Sequence, residues 1–277
     1  LEKASGELRQ LQLFELDVLT YLIKTFDKYH LKYYVTGGTV LGIKFFKGFI
    51  PYDDDIDIAM PRTDYSKLLK IIQKGIESDY IFRHWSLDEK FKYSIIRVEN
   101  PNIVVSEVSN PLKGESFPSV DIAPLDGAPV GKMQRNIYYK KLDLYRALLS
   151  WYYFDSINMY KTRSARDRFL VSVMRRTGKI ARVVVNPMRL KKNMDRLMAR
   201  QNDKGSKLLG TYLGAYRKKE MLPADIWGKG KLYHFENLQV IGPEKIDEYI
   251  HDLYGTFKIY SDSEIQSSRH YSIKKKV

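Results

Sequence analysis

Four carboxylates fall within five residues at Asp53-Asp54-Asp55-Ile56-Asp57, and the residues that follow leave the backbone little choice of conformation. Ile56, Ile58 and Met60 alternate with Asp55, Asp57 and Ala59, the period-2 pattern of a strand with one buried face. Asp55 and Asp57 then project from the same side, their Cα atoms about 6.6 Å apart at roughly 3.3 Å of rise per residue. At about 5 Å between charges and an effective dielectric near 20, such a pair repels by roughly 3 kcal/mol, and by under about 1 kcal/mol if fully wet. A divalent cation between the carboxylates reverses the sign, and two Mg²⁺ ions about 3.5–4 Å apart fit that reach. The plainer alternative is a solvated acidic turn. A calcium loop of the EF-hand type fails at its sixth position, Ile58 in place of Gly, and at its twelfth, Asp64 in place of Glu.

Upstream, Leu31 to Thr36 reads as a short strand running into Gly37-Gly38, with a helix from Thr39 to Lys44. A glycine pair there is either a simple sharp turn or a device that presents backbone N–H groups to an anion at the helix N-terminus. Lys44 and Lys47 would lie near a phosphate held in that way. Downstream, Asp121 sits between Val120 and Ile122 in an apolar strand, a poor place for an unpaired carboxylate. Its partner is either a metal shared with Asp55 and Asp57 or one of the many Lys and Arg side chains. Asp126, ahead of Gly127, reads as a turn residue.

Around these points the chain alternates helix and strand. Leu11, Phe14, Val18, Leu22, Phe26 and Tyr29 keep helical spacing over about 8–30. A further helix starts near Pro61 with Thr63 as its expected cap. Residues 80–85, 94–99 and 103–108 read as strands that extend the sheet, and 232–241 as a hairpin around Glu236-Asn237. A short helix after Ile246 stops at Gly255. The fold class expected is α/β (α+β): a mixed sheet core with helices, divided as a catalytic core over 1–130, a helical insert over 131–220 and a return to the core over 221–277.

The net charge of +14 belongs to that insert, because Lys132 to Lys219 holds 23 basic and 5 acidic residues and leaves the rest with 24 and 28. Basic amphipathic helices of this kind either lie on an anionic membrane or cover the core and solvate their other face. No recognised reader motif accompanies the charge, so nucleic acid is not the expected partner. No apolar run approaches the roughly 18 residues needed to span a bilayer, and Leu1-Glu2-Lys3 lacks a secretory pattern. Zero cysteines exclude disulfides and thiolate metal sites, which suits the cytoplasm.

A strand, a glycine pair, a helix, an Asp-x-Asp strand and a later strand with a third Asp is the arrangement of the nucleotidyltransferase fold. The stretches Gly37 to Gly42, Lys47 to Ile58 and Val120 to Asp126 together resemble the LicD family of phosphocholine transferases. Phe235-Glu236-Asn237-Leu238, Leu253-Tyr254-Gly255 and Arg269-His270 resemble that family's C-terminal features, so the likeness covers roughly 8–126 and 232–270. Tyr52 stands where many relatives have Trp.

The resemblance implies Mg²⁺-dependent transfer of phosphocholine from CDP-choline to a sugar hydroxyl of a lipid-linked precursor of a surface polymer such as teichoic acid, at the inner membrane face. One or two Mg²⁺ ions are expected, with Mn²⁺ able to substitute. Asp55, Asp57 and Asp121 would be the metal and catalytic residues, with Asp53 and Asp54 behind them. Gly37, Gly38 and Thr39 would approach the nucleotide phosphates, with Lys44, Lys47 and Arg269 as electrostatic candidates. Choline, a quaternary ammonium, is held best by aromatic faces, for which Tyr52, Trp85, Trp151 and Trp227 are candidates. Transfer of another phospho-alcohol such as ribitol phosphate, nucleotidyl transfer, and a non-catalytic membrane or polymer binder remain as alternatives.

Overall fold

The structure is a computed structural model that describes residues 3–107, 116–157, 164–202, 205–255 and 271–276. Eight α-helices and eleven strands follow in chain order among these residues. The first helix, α1 (Gly6–Lys28), leads to β1 (Tyr34–Thr36), α2 (Gly37–Phe46), β2 (Ile56–Pro61) and α3 (Arg62–Gln73). Next come β3 (Ile81–Arg83), β4 (Ile96–Glu99), β5 (Ile103–Glu107) and β6 (Ser119–Gly127). Three long helices follow: α4 (Lys132–Tyr152), α5 (Ala165–Val184) and α6 (Pro187–Ala199). The chain then returns through β7 (Leu208–Gly210), β8 (Leu222–Pro223) and α7 (Ala224–Trp227) to the hairpin of β9 (Lys231–Phe235) and β10 (Leu238–Gly242). Last are α8 (Ile246–Tyr254) and β11 (Tyr271–Lys276).

The central sheet runs β1-β2-β6-β4-β3 and is mixed, because β2 and β6 are parallel while the other neighbours are antiparallel. Register decides what each face carries. Val35, Ile58, Ile122 and Ile96 form one cross-strand row, with Ile56, Val120 and Val98 beside it, and all seven are fully buried. They share a core with Leu19 and Leu22 of α1 and Leu68 of α3. At about 1.5–3 kcal/mol for each fully buried aliphatic side chain, that row fixes the register, since a one-residue slip would turn every member to the other face.

The reading of an α+β fold with a mixed sheet holds, but three local expectations change. Residues 103–107 do not extend the central sheet: β5 pairs antiparallel with β11 in a separate two-stranded sheet. Thr63 does not cap α3, whose N-cap position is Pro61 with no side-chain cap; the fixed φ of proline already sets the entry angle. Asp126 is not an exposed turn residue. It is fully buried and accepts a two-pronged hydrogen bond from the Arg62 guanidinium, while the Asn202 amide donates to the same carboxylate. Arg62 also donates to Asp195 of α6 at 2.6 Å, so one arginine joins α3, β6 and α6.

Within 131–220 a second core gathers Tyr138, Leu142 and Leu149 of α4 with Met194 and Met198 of α6, and Tyr212 and Met221 beyond them. Asn186 caps α6 through the N–H of Arg189, as its Asn-Pro start predicts. The stretch does not stay helical to its end, because β7 pairs with the end of β6 and brings residues 208–210 back into the sheet.

The hairpin tip is fastened to the loop after α2. Glu236 adopts a left-handed φ of 54°, its N–H donates to the Lys47 carbonyl at 2.8 Å, and its carboxylate accepts from Arg9, Lys3 and the Phe49 N–H. Burial alone would raise its pKa, but Arg9 and Lys3 outweigh it and hold the carboxyl at about 2. A depressed pKa of this kind contributes stability above the unfolded value near 4.5 that is lost as pH falls towards 2. Glu236→Gln is therefore expected to lower stability by about 1–3 kcal/mol at pH 7 and to flatten the loss between pH 4.5 and 2, as measured by urea denaturation at each pH.

Candidate active site

The face opposite the apolar row carries the chemistry. Thr36 pairs with Asp57, Asp57 with Asp121, and Asp121 with Arg97, one residue from each of four adjacent strands. Asp55 lies two residues before Asp57 and so projects to the same side. A cleft of about 540 Å³ opens there, with Asp53, Asp55, Asp57 and Asp121 on one wall beside Thr36, Gly37 and Gly38. The opposite wall comes from far along the chain: Thr211 and Leu213 to Tyr216 after β7, Glu220, and Leu253 and Tyr254 of α8.

The glycine pair is the first turn of α2, not a loop ahead of it. Gly37 has φ +61°, and a Cβ there would lie 2.7 Å from the Asp57 Oδ2; a Cβ on Gly38 would lie 2.7 Å from the Asp53 Oδ2. The absence of side chains thus lets two carboxylates reach the positive end of the α2 dipole. The Gly37 N–H donates to the Tyr249 hydroxyl at 2.9 Å, and that hydroxyl also bonds Thr36 Oγ1 at 2.6 Å. Thr39 turns inward instead, where its Oγ1 accepts the Asp57 N–H at 3.1 Å.

Asp57 is driven well above the usual carboxylate range, first by burial and then by the charges of Asp55, Asp121 and Asp53. Behind it, Glu15 of α1 is also buried and raised, by burial and then by Asp54, Asp55 and Asp53, and its Oε2 has no hydrogen-bond partner. Gln12, one turn earlier, holds the acidic loop by donating to the Asp53 carbonyl at 2.9 Å. Asp121 takes the second of the two partners open to it in the sequence: Arg97 grips both its oxygens at 2.7 Å, with the guanidinium 4.3 Å from the Tyr93 ring centre.

A divalent cation suits this donor set. Asp55 and Asp57 offer hard oxygen ligands, and the mutual repulsion that raises Asp57 is what a cation relieves. Among the described residues no three acidic or imidazole side chains are already gathered at coordinating spacing. Mg²⁺ asks for less than that, because it is bound through one or two carboxylates while waters and substrate phosphates complete its shell.

Other residues singled out by the sequence lie elsewhere. Lys44 pairs with Asp247 at 2.6 Å, and Lys47 is the left-handed cap of α2; neither lines the cleft. Arg269 lies outside the described residues. Asp54 is fully buried under the loop. The four candidate aromatics are also away from the cleft. Tyr52 is in the main core, Trp85 packs against His84, and Trp151 donates to Thr177 of α5. Trp227 is buried between Tyr34 and Tyr249 and donates to the Leu209 carbonyl. Each satisfies its indole N–H or ring face by packing, the commoner fate of an aromatic side chain.

The aromatic groups that do line the cleft are Tyr93, Tyr216 and Tyr254. Tyr216 and Tyr254 meet edge to face at 5.7 Å, and Glu220 beside them accepts from Thr211 Oγ1 and the Tyr216 N–H. Arg146 of α4 shapes this wall from behind by donating to the carbonyls of Tyr212, Leu213 and Gly214. Arg97 was legible as an inward position of an alternating strand, and Tyr254 sits in the Leu-Tyr-Gly stretch at the end of α8. Glu220 had no local signal after the surface charges Arg217, Lys218 and Lys219, and Arg146 lies in an ordinary amphipathic helix.

A mixed sheet that aligns acidic residues of adjacent strands at a glycine-led helix start defines an α+β domain with an acidic cleft. Residues 30–140 match the sequence model of the LicD/FKTN/FKRP nucleotidyltransferase domain. It is 41% identical over 64 residues to the lipopolysaccharide cholinephosphotransferase LicD of Haemophilus influenzae, which covers 23% of this chain and 24% of that protein. It is 28% identical over 163 residues to an uncharacterised protein of Rickettsia typhi, covering 52% of this chain and 51% of the relative. A Rickettsia prowazekii counterpart is 29% identical over 169 residues, covering 53% and 61%. The matches thus span from about a quarter to about three-fifths of these relatives' lengths.

Proposed function

We propose that the chain transfers phosphocholine from CDP-choline to a sugar hydroxyl of a cell-surface glycan precursor, such as a teichoic acid, with one or two Mg²⁺ ions. The observation that carries this reading is the cross-strand row of Thr36, Asp57, Asp121 and Arg97, with Asp55 beside it, in a family whose Haemophilus member is named for choline phosphate transfer. Asp55 and Asp57 would hold the cation. Bound there, Mg²⁺ or Mn²⁺ would neutralise charge on the donor phosphates, the main requirement of phosphoryl transfer.

Arg97 offers its guanidinium to the phosphoryl oxygens, and Asp121 accepts the proton of the attacking hydroxyl at one carboxylate oxygen. The N-terminus of α2 adds partial positive charge on the same side. Tyr216 and Tyr254 line the cleft where their rings would meet the trimethylammonium group, which cannot donate a conventional hydrogen bond, and Glu220 lies beside them. These tyrosines favour choline over a neutral polyol as the alcohol.

The test is a panel of CDP-alcohols with Mg²⁺, read by the products released. CMP from CDP-choline in preference to CDP-ribitol supports the proposal. A preference for CDP-ribitol moves the reading to another phospho-alcohol, and release of phosphocholine instead of CMP shows that the nucleotidyl group is the one transferred.

A further inference from the structure

Helix α5 presents apolar residues to solvent along its length. Val183 is 85% exposed, Phe169 68%, Val184 65% and Ile180 56%, with Val173 and Leu170 also exposed. At 100° per residue these six fall within an arc of about 140° that runs about 22 Å along the axis. Arg168, Arg175, Lys179 and Arg182 form a stripe directly beside it, and Arg176 falls within the apolar arc. The remaining face is turned inward, where Ala181 is fully buried and the ring of Phe154 fills the space a Cβ on Gly178 would need. The exposed stripe is therefore surplus to packing.

The charges decide what covers it. Arg168, Arg175, Arg176 and Lys179 make no ion pair among the described residues. The helix has a single acidic residue, Asp167, engaged at its N-terminus by Ser164. Arg182 is the exception, with Asp155 at 2.6 Å. At the far end Val183 and Val184 rim a cleft of about 860 Å³ that carries Lys90, Lys92 and Arg182 against Glu89 and Asp155. An apolar stripe bordered by unpaired cations suits a surface with anionic headgroups over hydrocarbon. No helix among the described residues is long and apolar enough to cross a membrane.

We infer that α5 docks in the plane of an anionic lipid bilayer, with Phe169, Val173, Ile180, Val183 and Val184 inserted at the headgroup boundary and the adjacent arginines and lysine on lipid phosphates. The inference stands on α5 alone and is independent of which group the cleft transfers.

The experiment is sedimentation of the full chain with phosphatidylcholine vesicles, with and without phosphatidylglycerol. Binding that requires the anionic lipid and weakens with salt is expected. F169S/I180S/V183S should cut the affinity at least about tenfold and R175Q/K179Q several-fold, while L232S, at an exposed leucine of β9, should bind as wild type. All these positions are exposed, and circular dichroism checks that the fold is kept. Absence of vesicle binding, or equal binding by the apolar triple variant, overturns the inference. Gel filtration covers the rival occupant: conversion of a dimer to a monomer by the triple variant, without lipid binding by the wild type, assigns the face to a second copy of the chain.

Discussion

Asp57→Asn is expected to abolish transfer and, in metal-free protein, to make the fold more stable. The two effects share one cause. Asp57 is half-buried against Gly37 with Asp55, Asp121 and Asp53 around it, so its ionised form is costly to fold. Replacing the carboxylate by an isosteric amide removes that repulsion, by about 1–3 kcal/mol for charges this close, and raises Tm by a few degrees. The same change deletes a cation ligand, and turnover should fall at least about 10³-fold. Scanning calorimetry with a chelator, set beside CMP release with Mg²⁺, reads both halves. Added Mg²⁺ should stabilise the wild type and leave the variant unmoved. A lower Tm for the variant would mean that the carboxylate is already compensated, and the cation reading would fail.

Arg62→Ala is expected to cost about 3–5 kcal/mol of stability, since it strands a charge where water cannot reach. Asp126 is only 2% exposed, and its carboxylate is shared between Arg62 and Asn202. Arg62 itself is held more firmly protonated by Asp126 and Asp195 in spite of its burial. Loss of the guanidinium also releases α6 from α3, because Asp195 loses its partner at 2.6 Å. Urea denaturation should therefore show a lower midpoint, and limited proteolysis should find α6 first. The double variant Arg62→Met with Asp126→Leu should recover most of the loss, as replacement of a buried pair by apolar volume commonly does. If the single variant costs no more than the double, the pair contributes nothing beyond its packing.

Periodicity made the framework of this fold legible, because buried rows such as Val35, Ile58, Ile122 and Ile96 demand alternation in each strand separately. The same logic puts Asp55 and Asp57 on one side of their strand, whereas Asp121 comes beside them only through the parallel pairing of β2 with β6. Alternation could not choose between an ion pair and a metal for Asp121, since Arg97 becomes its neighbour only when β4 docks on β6. Asp126 was misread for the same reason: Asp-Gly signals a turn locally, while its arginine lies 64 residues away. The tryptophans misled differently. An indole over the choline is chemically sound, but Trp151 and Trp227 are committed to Thr177 and Leu209, and less conspicuous tyrosines face the cleft. Glu15 was hidden in an ordinary helical stripe.

The cleft wall formed by Thr211, Leu213 to Tyr216, Glu220 and Tyr254 is built by chain that returns only after three long helices have been laid down. A nascent polypeptide released at residue 140 would own every aspartate of the cleft and almost nothing to close it. If the proposed transfer holds, a version trimmed to the matched segment would keep the carboxylates without the wall that faces them, and attempts to alter which alcohol is taken belong at residues 211–254, far from the aspartates that draw the eye.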